Sequence, residues 1–297
     1  MVVDAKEPDG KMIGLGKIVS RIQSSVSRSL VYVILGLWSF VSIFGFGWMV
    51  MTSLKTNQEM FANVWAPPAT PQWINYQKAW VNSNLSHYFI NSIMVTIFAL
   101  VITALIASTA SYVIARYNFP GNRFVLTYFM SGFAIPVQLT IVPLYIFLNQ
   151  LNLVNNLVVL TVIYITGSLS FSIFTMIGFF RTLPKELEEA AVIDGSSDYQ
   201  VFWKIMLPLA KPGLITITIF NFLYIWNEYF LAVLLLNDSA KMTISVGLYF
   251  MKAQQGYAAN WVGMLAGLII VLLPSIIFFL VLQKQIASGL TVGALKG

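Results

Sequence analysis

Glu186-Leu187-Glu188-Glu189-Ala190-Ala191-Val192-Ile193-Asp194-Gly195, running on through Ser196-Ser197-Asp198 to Ile205-Met206-Leu207-Pro208, is the one long, acidic, helix-forming segment between the hydrophobic stretches of this chain. Leu183-Pro184 stops the apolar stretch before it, and proline early in a helix presets the backbone. Lys185 to Ile193 holds strong helix formers, with Glu186, Glu188 and Glu189 where the positive end of the helix dipole favours them. Asp194-Gly195 ends that helix, since glycine accepts the left-handed conformation of a helix end. Ser196, Ser197 and Asp198 then offer caps for a second helix, Tyr199 to Met206, which Leu207-Pro208 closes. Residues 181–212 thus read as a helix–turn–helix lying across one face of a membrane protein, where a soluble partner can grip it. Ala190, Ala191 and Gly195 let a foreign backbone come close, and Glu189 offers a carboxylate to a partner arginine.

Outward from this loop the chain is lipid-soluble. It is 58% hydrophobic and 9% charged, with mean hydropathy +0.79, which excludes an ordinary soluble domain. Six stretches are long enough to cross a hydrocarbon core as helices: 29–51, 88–115, 124–149, 157–180, 213–236 and 261–283. Only the fifth carries an ionisable acid or base, Glu228. Period-two alternation is absent, which excludes a membrane barrel. The expected fold is an all-α integral membrane protein of six transmembrane helices.

The basic residues orient it. With the N-terminus inside, segments 1–28, 116–123, 181–212 and 284–297 are cytoplasmic and hold most of the 17 Lys and Arg. The outer segments 52–87, 150–156 and 237–260 keep only Lys55, Lys78, Lys241 and Lys252. The positive-inside rule therefore places both termini in the cytoplasm. The net charge of +6 reads as topology rather than nucleic-acid binding. The first apolar run is too long for a signal-peptide core and reads as an uncleaved span.

Several chemistries drop out at once. Without cysteine there is no disulfide, thiolate nucleophile or thiolate metal site. The single His87, with no carboxylate nearby, reads as interfacial rather than metal-binding. Gly16-Lys17-Ile18 lacks both the first glycine and the Ser/Thr of a phosphate-binding loop. The chain binds no cofactor of its own in this reading.

Smaller features fill in the map. Leu15, Ile18, Val19, Ile22 and Val26 make an amphipathic stripe suited to the inner leaflet. Trp65-Ala66-Pro67-Pro68-Ala69-Thr70-Pro71 forbids helix in the first outer loop, and Trp73, Tyr76 and Trp80 suit a short interfacial helix after it. Lys241 to Asn260 reads as a second outer loop open to a partner.

The spacing Glu189-Ala190-Ala191, Gly195, Ile205, Leu207-Pro208 resembles the "EAA" loop by which membrane subunits of ABC importers dock on a separate ATPase. The resemblance covers most of the chain after Tyr88, a permease core of roughly 88–283. Phe89-Ile90-Asn91-Ser92 is similar to the start of that core, and Ser111-Tyr112-Val113-Ile114-Ala115-Arg116-Tyr117-Asn118-Phe119-Pro120-Gly121 to a turn of sugar permeases. Trp226-Asn227-Glu228 resembles a Trp-Asn-Glu sequence common in the same branch, and the ending Gly289-Leu290-Thr291-Val292-Gly293-Ala294-Leu295-Lys296-Gly297 resembles the tail of the smaller membrane subunit of the maltose importer. The resemblance implies a type I ABC importer permease of the carbohydrate-uptake branch in a bacterial inner membrane. Its implied partners are a second homologous permease, two ABC ATPase subunits carrying ATP and Mg, an extracytoplasmic sugar-binding protein and the lipid bilayer. It implies ATPase coupling through Glu189, Ala190, Ala191, Asp194, Gly195, Ile205, Leu207 and Pro208. It also implies a second ATPase contact through Gly289, Thr291, Gly293 and Lys296.

The pathway is less marked. Glu228 is costly in hydrocarbon unless it faces protein or water, so it is either a functional carboxylate or a packing one. Asn221 and Tyr224 share its helical face, and Asn227 adjoins it. Gln138 follows Pro136 in span three, with Thr140 and Pro143 beyond, and proline-broken helices beside cavities are a transporter device. Ser168, Ser170 and Ser172 suit close packing, as does the Gly263/Gly267 pair. The alternative function is an ion-coupled secondary carrier using Glu228; an intramembrane enzyme would need a nucleophile, paired acids or a metal cluster. Both leave the Glu189-to-Pro208 spacing unexplained. The lysine excess outside suits an acidic glycan as well as a neutral one, and the sugar is left open.

Overall fold

The computed structural model describes the backbone of residues 10–257 and 260–294, and side chains within 29–252 and 260–283. All described regular structure is helical. In chain order the elements are α1 (Gly10–Ser53), α2 (Asn57–Ala62), α3 (Ile74–Val81), α4 (Leu85–Arg116), α5 (Asn122–Ser131), α6 (Val137–Gln150) and α7 (Leu157–Thr182). There follow α8 (Glu186–Ile193), α9 (Asp198–Val201), α10 (Leu207–Leu209), α11 (Lys211–Asn227), α12 (Phe230–Leu235), α13 (Ile244–Tyr257) and α14 (Trp261–Ala294).

The scaffold is built on α4 and α7, the most extensive helix pair, flanked by α11 and α14. The buried stripe of α4 is Ser92, Thr96, Ala99, Thr103, Ala107 and Ser111, while Ile90, Met94, Phe98, Val101 and Leu105 point outward. That inversion is what a membrane dictates. Lipid tails are as apolar as leucine, so helices associate by close packing of small residues and by hydrogen bonds between them. Ser111 Oγ accordingly donates to the Ile173 carbonyl of α7 at 3.0 Å.

Among the described residues four helices are long and apolar enough to cross a membrane: 29–53, 85–116, 157–182 and 261–283. The two remaining expected spans are not continuous helices. The stretch 124–149 is α5 and α6, separated by a turn ending at Pro136, whose ψ of 127° leaves the helical region. Pro136 lacks the amide that would continue the ladder; Pro143 lies inside α6 without ending it. Gly132 faces Ser170 of α7 so closely that a Cβ would strike the serine hydroxyl. The stretch 213–236 breaks at Glu228, which caps α11 in an extended conformation with ψ 131° before α12 begins. Helix α11 also starts earlier than expected, at Lys211.

Three further expectations are corrected. The chain at 198–209 does not stop at Leu207-Pro208. A π-helical stretch, Phe202–Met206, follows α9, with the Leu207 amide bonding to the Phe202 carbonyl, and the helix ends at Ala210. Widening the turn spares the carbonyl that the Pro208 ring would otherwise meet. The axis then bends by 69° into α11. The loop expected at 241–260 contains α13, packed on α4 and α14. Its Ile244, Val246 and Met251 are buried. Last, α1 and α14 run on past 28 and 283, as Gly10–Ser53 and Trp261–Ala294. The stripe Leu15 to Val26 lies outside the residues whose side chains are described.

The loop 54–73 is ordered by polar contacts. Thr56 and Glu59 form a reciprocal capping box at the start of α2. Buried Lys55 donates from Nζ to the Asn63 and Val64 carbonyls at 3.1 and 3.0 Å. The turn between α6 and α7 uses Asn152 and Asn155 at positive φ, and the Asn155 amide donates to the Leu235 carbonyl at 2.7 Å.

Candidate functional site

Two regions carry possible function: the segment 181–212 at one end of the bundle, and a cavity where the two broken helices meet near the other.

Helix α8 ends in a tight glycine turn. The Ser196 amide reaches the Ala191 carbonyl at 2.9 Å and the Gly195 amide reaches the Val192 carbonyl at 3.0 Å, with Gly195 at φ +81°. Ser197 and Gln200 then form a capping box for α9. Burial divides the segment into a root and a face. Phe202, Met206 and Val201 are buried with Tyr112, Ile177 and Phe180 in a core that joins α4, α7 and the loop. Phe202 lies 5.1 Å from the Tyr112 ring and 6.4 Å from that of Phe180. Val192 and Ile193 are 55% and 85% exposed, with Tyr199 at 72%, an apolar surface that nothing in this chain covers among the described residues. Glu189, Ala190, Asp194, Gly195 and Pro208 are exposed beside it; Ala191 is buried, and Ile205 and Leu207 are half-buried. The structure thus brings the expected coupling residues into one helix–turn–helix, with Ala191 in its root.

One buried cation holds α8 to the spans, and sequence reading missed this role. Arg116 Nε, at the end of α4, lies 2.9 Å from Glu188 Oε1. Its Nη2 donates to the Leu183 carbonyl at 2.8 Å. Burial raises the Glu188 carboxyl above the ordinary range, against the opposing pull of Arg116 and Lys185. In the sequence Arg116 figures as a topogenic charge and as part of the turn similar to sugar permeases; its place in the last turn of a span, before a proline turn, is the signal for the role.

The cavity, about 360 Å³, is lined by Val137, Gln138, Ile141, Leu223, Tyr224, Asn227, Glu228, Tyr229, Phe230 and Leu231. It exists because both helices break there. Of the expected pathway residues, Gln138, Tyr224, Asn227 and Glu228 line it together. Asn221 does not: it is buried, donating from Nδ2 to Ser172 Oγ of α7 at 2.8 Å. Glu228 is heavily engaged. Its Oε2 accepts from Tyr164 Oη at 2.6 Å and from the Ala232 amide at 3.1 Å, while Oε1 accepts from the Leu231 amide at 2.8 Å. The carboxylate therefore caps α12 and ties α11 to α7, a second residue role, Tyr164's, that the sequence did not reveal. Asn227 Nδ2 turns back to the Leu223 carbonyl of its own helix.

Gly289, Thr291 and Gly293 lie in the last turns of α14, where side chains are not described, and Lys296 lies outside the described residues. Of the Gly263/Gly267 pair, Gly267 makes a helix contact, with Met251 Sδ 2.7 Å from where its Cβ would be. Among the described residues no cluster of His, Asp or Glu could hold a metal.

Residues 107–292 match the family described as the inner membrane component of binding-protein-dependent transport systems. The diacetylchitobiose uptake system permease protein NgcG of Streptomyces coelicolor is 34% identical over 265 residues, 89% of this chain and 88% of that one. The sulfoquinovosyl glycerol transport system permease protein SmoH of Agrobacterium fabrum is 32% identical over 252 residues, 84% and 87% of the two chains. In fold, the chain resembles one from the crystal structure of a bacterial ABC transporter involved in import of the acidic polysaccharide alginate. The TM-score is 0.72 at 22% identity, covering 95% of this chain and 99% of that one.

Proposed function

This chain belongs to the inner membrane components of binding-protein-dependent transport systems, and we propose that it is the smaller-type permease subunit of an ATP-driven importer for a sugar or oligosaccharide. The carbohydrate reading rests on relatives named for diacetylchitobiose and for sulfoquinovosyl glycerol uptake. In this proposal the chain crosses the bacterial inner membrane six times, α5–α6 and α11–α12 being broken spans, with both termini in the cytoplasm. It pairs with a second homologous permease around the pathway. Two ATPase subunits, which hold ATP and Mg, sit beneath, and a sugar-binding protein docks outside. This chain catalyses nothing itself.

The observation that carries the proposal is the division of 181–212 into a buried root and an exposed face. Val192, Ile193 and Tyr199 offer apolar area to a partner, with Glu189 exposed nearby for an arginine. The Phe202–Met206 root packs against Phe180 and Tyr112, so a force on the face reaches α4 and α7. Closure of the ATPases would draw the docked loops of the two permeases together and open the cavity side outward. Hydrolysis would reset it. Gln138, Tyr224 and Asn227 are the residues we place on the sugar's path, with Glu228 holding their frame. The ion-coupled alternative draws no support from these relatives, and the Glu228 carboxylate is already committed to Tyr164 and two amides.

Purification in gentle detergent from the native host, with mass-spectrometric identification of what copurifies, tests this. An ATPase subunit and a second permease are expected, the ATPase lost with Gly195→Pro. A solitary chain or a homodimer would overturn it.

A further inference from the structure

Helix α8 is short, and apart from Ala191 its burial is slight: it packs chiefly on α9 and the π-helical stretch after it. Its polar link to the membrane helices is Arg116. The guanidinium is 4% exposed and the Glu188 carboxylate 20%, so water screens the pair weakly. The same side chain donates to Leu183, the residue that caps α7, at 2.8 Å. Three elements thus meet on one planar cation: the end of α4, the end of α7 and the first turns of α8. Among the described residues this is the one ion pair. The contact with Glu188 is one of charge, since Nε and Oε1 are not aligned for a hydrogen bond. It is the breadth of the guanidinium that lets one side chain reach this carboxylate and the Leu183 carbonyl together, where the compact ammonium of lysine would reach one of them.

We propose that Arg116 is a positioning residue for transport: it locks α8 to α4 and α7 so that the coupling loop and the span ends move as one rigid body. The proposal rests on 181–212 being the ATPase-docking loop. Without the lock, α8 would pivot about the Phe202 root when pushed, and part of the ATPase stroke would be lost within the loop. Glu188 is then the receiving group on α8, distinct from Glu189, whose carboxylate is free for the partner.

The absence of native cysteine allows clean paired labelling. Spin labels at Ile106→Cys on α4 and Glu186→Cys on α8, both exposed positions, report the angle between the helices. In the chain alone and in the assembled importer, with and without ATP, one narrow distance is expected. Arg116→Gln should broaden it. In the reconstituted importer, without the labels, Arg116→Gln should lower sugar imported per ATP hydrolysed by about tenfold, the size of a lost coupling between contacting groups. Hydrolysis and assembly should persist. Glu188→Gln should act in the same direction, the double variant should be no worse than Arg116→Gln, and Arg116→Lys should rescue only in part. A merely structural role would lower hydrolysis and import together and leave their ratio unchanged. An unchanged distance in Arg116→Gln, an unchanged ratio, or losses that multiply in the double variant would overturn the proposal. Should no ATPase assemble on the native chain, the docking reading falls, while the distance in the chain alone still decides the lock.

Discussion

Gly195 gives the sharpest handle on the docking loop. Its φ of +81° is left-handed, and nothing lies within 4 Å of where a Cβ would stand. Alanine therefore meets no clash, only backbone strain of about 1 kcal/mol. If docking needs the turned loop, that strain weakens ATPase affinity about fivefold, since 1.4 kcal/mol is tenfold. Asparagine visits the left-handed region readily and should cost less. Proline should do far worse. It removes the amide that bonds to the Val192 carbonyl at 3.0 Å, about another 1 kcal/mol, and its ring fixes φ near −65°. The assay is titration of the purified ATPase subunit onto the permease in nanodiscs, with ATP-driven uptake alongside. The expected order of affinity is Gly, Asn, Ala, then Pro with no measurable docking. Alanine binding better than asparagine, or proline docking normally, would refute the turn as the origin of the interface.

Asn221→Ala removes the bond to Ser172 and should lower thermal stability in detergent by about 1 kcal/mol with little change in transport of the surviving protein. Tyr224→Ala, on the cavity, should do the reverse, and uptake assays paired with thermal melts separate them. Gly247→Ala would place a methyl against the Tyr88 ring; overpacking of about 1–3 kcal/mol should loosen α13 from α4, read as faster proteolysis in 244–257. Glu59 has its carboxyl lowered by the Thr56 and Ala69 amides. With a folded pKa below the unfolded one, its contribution is present above the ordinary carboxylate range and is lost as pH falls through the folded value. Hydrogen exchange should show the Thr56 and Ala69 amides protected at pH 5 and released only at lower pH.

Much of this architecture was legible because membranes tolerate few solutions. The long apolar runs within 85–116, 157–182 and 261–283 mark helices at once, since a span must satisfy its own backbone. The glycine turn was legible too, because Asp194-Gly195 followed by Ser-Ser-Asp names a stop and a cap. The break at 228 was not. Hydropathy sees one apolar run from 213 to 236, whereas the turn arises because the Glu228 side chain bonds the amides of Leu231 and Ala232 and the hydroxyl of Tyr164. Pro136 announced a weak point in its stretch, but the close approach of Gly132 to Ser170 at the same turn is visible only in the fold. Helix α13 was hidden for a similar reason: tertiary contacts with α4 and α14, not its mixed composition, make it a helix. Asn221 was assigned to the cavity by helical periodicity, yet it turns to Ser172, since residues four and seven apart still differ in the neighbour they meet.

ATP, spent on another chain, drives sugar through this one in the function proposed. Proteoliposomes holding the whole complex, its binding protein and a labelled oligosaccharide test it most directly. Accumulation that requires ATP, is abolished by Gly195→Pro, and ignores imposed proton or sodium gradients is the predicted result. Accumulation driven by either gradient without ATP, and lost in Glu228→Gln, would contradict it.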